Sequence, residues 1–225
     1  MLHFCAVDPL HAQVLRWSER LRAIAQTGLA FRPHTYDEER YSEALRLAAE
    51  MQAFALTADA KELEVEWRAS IGEGPRGYVT PQASVIAAVL NDHRELLLVH
   101  RPDSQRWFPP SGWADVGRTA AEVAAKEVRE ETGYRVRPIG LLGCFDSIAQ
   151  GLSSFHFYCL FFECRLEGGE LRRNDLEALD IGWFPRDGLP APLHGGDWWV
   201  PVCFGPAEGP GFDPVPESIL EEVWK

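Results

Sequence analysis

Three glutamates, Glu127, Glu130 and Glu131, lie within one turn of a predicted helix, where their carboxylates could hold a metal ion. Glu127 and Glu131 are like charges four residues apart, which opposes the helix by a few tenths of a kcal/mol. Anions in the last turn are disfavoured by a further ~0.3–1 kcal/mol. A divalent cation such as Mg²⁺ would relieve both effects, because it prefers carboxylate oxygens. A solvated, charged surface helix is the competing interpretation.

The helix that carries these glutamates has clear signals at both ends. Thr119 followed by Glu122 forms a capping-box pattern, and Gly133 is a typical residue after a helix end. These signals predict a helix over residues 120–132. The residues expected to pack on a core are Ala121, Ala125, Val128 and Thr132.

The loop that precedes this helix could complete a metal site. In GWADVG, Gly112 and Gly117 allow the backbone to pass close to a ligand. Its carbonyl oxygens could then join the metal shell.

The stretch 112–134 resembles the Nudix box, a pattern of 23 residues with fixed spacing. The residues in register are Gly112, Glu127, Val128, Glu130, Glu131, Gly133 and Tyr134. Three positions depart from the pattern. Arg118 stands at the first Glu position, Lys126 replaces an Arg and loses its bidentate geometry, and Ser111 replaces a second Gly.

The resemblance implies hydrolysis of a nucleoside diphosphate linked to another moiety, such as CDP-choline or ADP-ribose, with Mg²⁺ or Mn²⁺ as cofactor. It makes Glu127 and Glu131 the first metal ligands, and Glu130 a ligand of a second ion or one that binds through water. A backbone carbonyl of Ser111 or Gly112 would join them. Lys126 would position a carboxylate by an ion pair.

Residues outside the box are candidates for further roles. Family members often recruit another carboxylate as base or ligand, and Glu177 and Asp180 are candidates, although a surface loop acid is an equal interpretation of each. A substrate base would stack on aromatic rings. The possible contacts are Trp113, Phe155, Phe157 and Tyr158, with Arg118 and His156 as polar candidates that have structural alternatives.

The chain pattern around the box predicts an α/β fold. The short apolar runs 83–90 and 95–100 read as a β-hairpin, and 139–145 and 154–166 as further strands. With the helix 120–132 between the strand groups, this order predicts an α/β/α sandwich with a mixed sheet.

A small helical domain is predicted before the sandwich. Helices are expected at 12–29, from about Asp37, and at about 59–69, and the Gly/Pro-rich segment 72–81 is the best linker candidate. The apolar stripes are Val14, Trp17, Leu21, Ile24 and Gly28 in the first helix, and Tyr41, Ala44, Leu45, Ala48 and Met51 in the second. We therefore divide the chain into 1–72 and 73–225.

This helical part resembles the N-terminal extension of one Nudix subgroup, that of the CDP-choline pyrophosphatase and ADP-ribose pyrophosphatase-like proteins. So small an apolar helical unit rarely buries its own faces, which predicts a homodimer. The tail 190–225, rich in Gly, Pro and Trp, does not fit the subgroup, and a short helix is expected at 216–224.

The composition of the chain indicates which classes of binding partner and which cellular compartment to expect. The net charge of −12 disfavours nucleic acid, but a bound cation would still admit a phosphorylated small molecule. The five cysteines form no Cys-x-x-Cys pair, which favours small buried side chains in a reducing cytoplasm. The first residues lack a signal-peptide pattern, and no run approaches the ~20 apolar residues of a membrane span.

Two other functions stay open from the sequence. The departures at Ser111, Arg118 and Lys126 are compatible with a non-catalytic Nudix-fold sensor. Hydrolysis of RNA ends would use the same metal chemistry, although an acidic chain offers no obvious channel for a strand.

Overall fold

The structure, a computed structural model, describes residues 9–31, 33–72, 77–174, 176–205, 209–215, 219–220 and 223. They divide into two compact units. The first contains the chain up to Gln82 together with Gly151–Phe157, and the second contains Ala83–Gln150 and the chain from Tyr158 onward. The division into 1–72 and 73–225 stays a prediction.

The first unit contains the three predicted helices, α1 (Pro9–Ala30), α2 (Thr35–Leu56) and α3 (Ala60–Ala69). Asp59 caps α3, since its carboxylate accepts hydrogen bonds from the backbone N–H groups of the first turn. The core of the unit is made of small and medium apolar side chains with one tryptophan: Ala25, Leu45, Ala48, Ala49 and Trp67.

The predicted apolar stripe of α1 was right at Leu21, which packs against this core, but wrong at Trp17 and Ile24. Trp17 is 48% exposed and Ile24 is 61% exposed, whereas Leu15, Ser18 and Gln26 are buried. The helix turns this mixed face inward because its polar groups find partners there. The Ser18 hydroxyl donates to the Ala48 carbonyl at 2.8 Å. The stripe of α2 was right at its centre, where Leu45 and Ala48 are buried.

The second unit is built on a mixed sheet with eight strands in the described part of the chain. They are β1 (Gln82–Leu90), β2 (Leu96–Arg101), β3 (Arg106–Phe108), β4 (Ser111–Trp113), β5 (Tyr134–Asp146), β6 (Phe157–Gly169), β7 (Asp180–Phe184) and β8 (Gly211–Phe212). The order is β3-β2-β1-β6-β5-β8, with β4 paired to β1 and β7 to β2. The β1–β2 hairpin is antiparallel, as predicted, and the β5–β8 pair is parallel.

One face of the sheet packs on helix α4 (Ala120–Thr132). Val85, Ala87 and Val89 alternate along β1 toward this helix, where they meet Val123 and Val128. Glu127, Glu130 and Glu131 all lie in the last two turns of α4, so packing of the helix on the sheet fixes where they lie.

The tail covers the other face of β6. Cys164 packs in the apolar cluster that contains Val123 and Val128 of α4. Phe161, three residues earlier, has its ring centroid 5.6 Å from that of Trp198. The buried Trp199 meets Phe108 edge-to-face, and a short helix, α5 (Val200–Cys203), follows. The tail is thus an integral layer of the second unit. The predicted helix 216–224 lies mostly outside the described residues.

Two further findings bear on the compositional expectations. In the described part of the chain, no helix is long and apolar enough to cross a membrane. Cys159 and Cys164 are buried free thiols, and burial raises the pKa of each to about 12. Cys159 is thus buried as expected, whereas Cys144, for which the same was expected, is only partly buried. Cys5 and the predicted absence of a signal peptide fall on residues outside the described ranges.

Candidate active site

The ends of helix α4 follow the sequence signals. The Thr119 hydroxyl accepts from the Glu122 N–H at 3.2 Å, and the Glu122 carboxylate accepts from the Thr119 N–H at 2.7 Å. Gly133 follows the helix with φ +79°, a conformation that glycine adopts without strain. Capping at both ends fixes the register of the three glutamates.

The inward face of α4 differs from the predicted one. Val128 and Thr132 are buried as expected, but Ala121 and Ala125 are only partly buried, and Val123 and Ala124 take their place. The larger valine side chains bury more apolar area than alanine and turn the helix toward them. As a result, Glu131 lies on the packed side of the helix.

Glu131 is a buried carboxylate with an unsatisfied oxygen. Its side chain is 6% exposed, and no hydrogen bond reaches its buried Oε2. Its pKa is raised to about 8, chiefly by burial: the charge of Arg101 and a hydrogen bond from the Ser111 backbone oppose this shift, and the charges of Glu127 and Glu177 add to it. An unpaired buried carboxylate is costly, so this atom calls for a cation or a proton.

Glu127 lies directly against the backbone of Gly112. A Cβ atom at Gly112 would come within 2.4 Å of the Glu127 carboxyl carbon and 2.5 Å of its Oε2, so any larger residue would displace the Glu127 carboxylate. The Gly112 carbonyl accepts from the Ser84 hydroxyl at 3.3 Å. Burial raises the pKa of Glu127, and the Lys126 ammonium works against this shift.

Lys126 joins three acidic side chains. Its Nζ lies 3.1 Å from Asp115, 3.2 Å from Glu127 and 3.3 Å from Glu130. The hydrogen bonds that the Lys126 ammonium donates to Asp115 and Glu127 raise the pKa of Lys126. Glu130 is 49% exposed, so it lies at the rim of the site beside Lys126.

These residues fit a divalent cation in part. The unsatisfied Glu131 oxygen and the space that Gly112 leaves for Glu127 are features that a metal site would use. Among the described residues, however, no three His, Cys, Asp or Glu side chains are arranged to hold a metal ion. Glu127 and Glu131, together with backbone oxygens, are therefore the donors that the structure presents. The third glutamate, Glu130, forms an ion pair with Lys126.

Arg101, at the end of β2, is a site residue that sequence reasoning missed. Its guanidinium donates to the Ser111 hydroxyl at 3.0 Å and pairs with Asp103 at 2.8 Å. The Arg101 hydrogen bond lowers the pKa of Asp103 to about 2. The charges of Glu131 and Glu127 also raise the pKa of Arg101, although burial opposes this. An arginine ending an otherwise apolar strand was the available signal.

The two carboxylates predicted outside the box are placed differently. The charge of Glu177 raises the pKa of both Glu127 and Glu131, which places it near them. Its carboxylate accepts from the Asn174 side chain at 2.8 Å. Asp180 begins β7, where its carboxylate accepts from the Ile181 N–H at 2.9 Å. Glu177 is thus the better-placed candidate of the two.

The predicted substrate contacts fall in both units. Trp113, on β4, is 47% exposed, and Arg118 pairs at 3.6 Å with Asp115 on the surface. The ring centroids of Phe155 and Phe157 lie 5.3 Å apart, and both residues belong to the unit that contains the three helices. The backbone of His156 donates to the Glu19 carboxylate at 3.3 Å in that same unit.

Two protein-family models match the chain. Residues 80–200 match the NUDIX domain, and residues 12–65 match the UDP-X-like, N-terminal oligomerisation domain. The chain is 36% identical over 178 residues to the putative ADP-ribose pyrophosphatase YjhB of Bacillus subtilis, covering 78% of this chain and 82% of that protein.

Two solved structures are similar across most or all of their own length. The crystal structure of a UDP-X diphosphatase matches with TM-score 0.53 and 27% identity, over 90% of this chain and 99% of that one. An ADP-ribose pyrophosphatase from Streptococcus suis matches with TM-score 0.51 and 30% identity, over 60% of this chain and 100% of that one. The predicted fold class is confirmed, and the chain belongs to the Nudix hydrolase family.

Proposed function

We propose that this protein hydrolyses the diphosphate linkage of a small nucleoside diphosphate derivative, such as CDP-choline or ADP-ribose, and releases a nucleoside monophosphate. The observation that carries the proposal is the buried, unpartnered Oε2 of Glu131 beside Glu127. The names of the relatives, an ADP-ribose pyrophosphatase and a UDP-X diphosphatase, support this substrate class.

Mg²⁺, or Mn²⁺ in its place, would be held by Glu127 and Glu131 with a backbone carbonyl of Ser111 or Gly112, and by Glu130 directly or through water. When bound, the cation would neutralise and orient the diphosphate. This arrangement is supported by the low exposure of Glu127 and Glu131 and by the close approach of Gly112.

The remaining residues have roles that need no metal geometry. Lys126 holds Glu127 and Glu130 in place by ion pairs. Glu177 is exposed and near both buried glutamates, so it would accept the proton of the attacking water. Trp113 offers an exposed ring for stacking, and Arg118 an exposed charge near the loop.

A substrate panel tests the proposal. CDP-choline, ADP-ribose and UDP-sugars are incubated with Mg²⁺ or Mn²⁺, and products are identified by mass. We expect a nucleoside monophosphate with at least one of them, and loss of at least about a thousandfold in turnover for Glu131→Gln. Glu163→Gln, on the exposed side of β6, is the matched control. Undiminished turnover by Glu131→Gln would remove the assigned role of this residue.

A non-catalytic sensor is the second candidate. It is favoured by the Lys126 ammonium, which lies among the acidic side chains at 3.1–3.3 Å. Saturable binding of a nucleotide by calorimetry, with no product under either metal, would select this function over hydrolysis.

We also propose a homodimer located in the cytoplasm. The match to an oligomerisation domain supports assembly, and the exposed Trp17 and Ile24 of α1 offer an apolar surface for it. Sedimentation of the wild-type chain should give a dimer, and Ile24→Glu should shift it toward the monomer. A wild-type monomer at micromolar concentration would contradict the proposal.

A further inference from the structure

A cleft of about 800 Å³ lies beside the glutamates, between the end of α4 and the segment that leads to Glu177. Three arginines line it, Arg129, Arg172 and Arg173, together with two glutamates, Glu130 and Glu170. Glu130 thus borders both this cleft and the proposed metal site, which makes the two neighbours.

The arginines are held in different ways. Arg173 donates to the Leu179 carbonyl at 2.6 Å, so its guanidinium is already engaged. For Arg129 and Arg172, no side-chain hydrogen bond or ion pair occurs with any residue that the structure describes. Among those residues, these two cationic groups therefore line the cleft without a hydrogen-bond partner.

The backbone around Arg172 is fixed against the helix. The Arg172 N–H donates to the Thr132 carbonyl at 2.8 Å. A Cβ atom at Gly133 would come within 2.6 Å of the Glu170 carbonyl oxygen and 2.8 Å of the Arg172 Cβ. This close packing presents Arg172 from a rigid support, which lowers the entropic cost of binding a ligand there.

We propose that this cleft binds an anionic group, a carboxylate or a phosphate, on the moiety that the substrate links to its nucleoside diphosphate. The inference rests on the proposed function, since the diphosphate would lie at the proposed metal site of Glu127 and Glu131, which meets the cleft at Glu130. Arginines bind such groups through paired, charge-assisted hydrogen bonds. The protein then prefers diphosphate compounds whose linked moiety is acidic over matched neutral ones.

Matched substrate pairs test the proposal on the Mg²⁺-loaded full chain. UDP-glucuronate against UDP-glucose tests a carboxylate, and UDP-glucose 6″-phosphate against UDP-glucose tests a phosphate, each carried by the linked sugar. We expect kcat/KM to be about tenfold higher for the acidic member of at least one pair. Arg172→Ala and Arg129→Ala should each bring that ratio close to one. Arg165→Ala, an exposed arginine on β6, should keep it.

A second readout does not depend on turnover. Phenylglyoxal modifies accessible arginines, and mass spectrometry locates the adducts. The acidic member of the preferred pair should protect Arg129 and Arg172, and the neutral member should protect them less.

The outcomes separate the two proposals. Hydrolysis without acidic preference or protection overturns this inference and leaves the proposed function standing. Protection without hydrolysis of any compound overturns the function and leaves the anion site standing. A preference for 5′-diphosphate RNA that depends on Arg172 would overturn the assignment to a small molecule.

Discussion

Two buried polar side chains, one in each unit, differ in whether their polar atoms have hydrogen-bond partners. In the helical unit, the buried Gln26 donates to the Trp67 carbonyl at 2.5 Å and to the Ser70 hydroxyl at 2.9 Å. In the sheet unit, the equally buried Glu131 leaves an oxygen without a partner. Because an unpaired buried polar group destabilises the fold, the contrast separates a structural role from a functional one.

After the loss expected for Glu131→Gln, the largest expected effect also tests the sheet side of this contrast. Gly112→Ala should lower kcat/KM by about a hundredfold, close to 2.7 kcal/mol, since the new Cβ displaces the Glu127 carboxylate. Steady-state kinetics with the best substrate of the panel measures it. Gly140→Ala is the control, because the nearest atom to the added Cβ, Oε2 of Glu163, would lie 3.9 Å away. Equal activity of the two variants would show that Glu127 does not need its observed position.

The next effect concerns the pH dependence of stability without metal. The pKa of Glu131 is raised to about 8 in the fold, so its stabilising contribution is complete below its unfolded pKa of ~4.3 and is lost as pH rises toward 8. The free energy of unfolding in EDTA should fall by on the order of 2 kcal/mol between pH 5 and pH 9. Urea titrations measure it.

Glu131→Gln serves as the comparison in those titrations. It removes the titrating group, so its stability should vary less over the same pH range than that of the wild type. Identical pH profiles for the two proteins would mean that Glu131 is not buried as a carboxyl group.

A smaller effect tests the helical side. Gln26→Ala should lower the free energy of unfolding by about 1–2 kcal/mol, because it removes hydrogen bonds to Trp67 and Ser70. Turnover per folded molecule should stay at the wild-type value. Gln13→Ala, on the exposed side of α1, should change neither quantity. A loss of turnover at constant stability in Gln26→Ala would break the distinction between the two units.

The smallest expected effect concerns Lys126. Lys126→Arg keeps the positive charge among Asp115, Glu127 and Glu130, so kcat/KM should change by less than about threefold. Lys126→Met, which removes the charge, gives the contrast in the same assay and should lower kcat/KM more. An increase in kcat/KM well above threefold for Lys126→Arg would show that the bidentate geometry missing from Lys126 limits the activity of the wild-type protein.

The elements that local patterns specify were predicted well. The boundaries of α4 follow from Thr119, Glu122 and Gly133, since capping depends on neighbours in the chain. The β1–β2 hairpin follows from two apolar runs around a polar turn. The inward face of α1 could not be predicted in this way, because its buried polar residues depend on partners about 30 to 40 positions away.

The sequence by itself determined the family, the position of Glu127 and Glu131 on one capped helix, and the three helices before the sheet, because each depends on residue types at short, fixed spacing. Only the tertiary structure decided which carboxylate is buried without a partner, that Arg101 and Asp115 join the site, and that the tail forms a packed layer. Those features depend on contacts between residues far apart in the chain, which periodicity and capping signals do not encode.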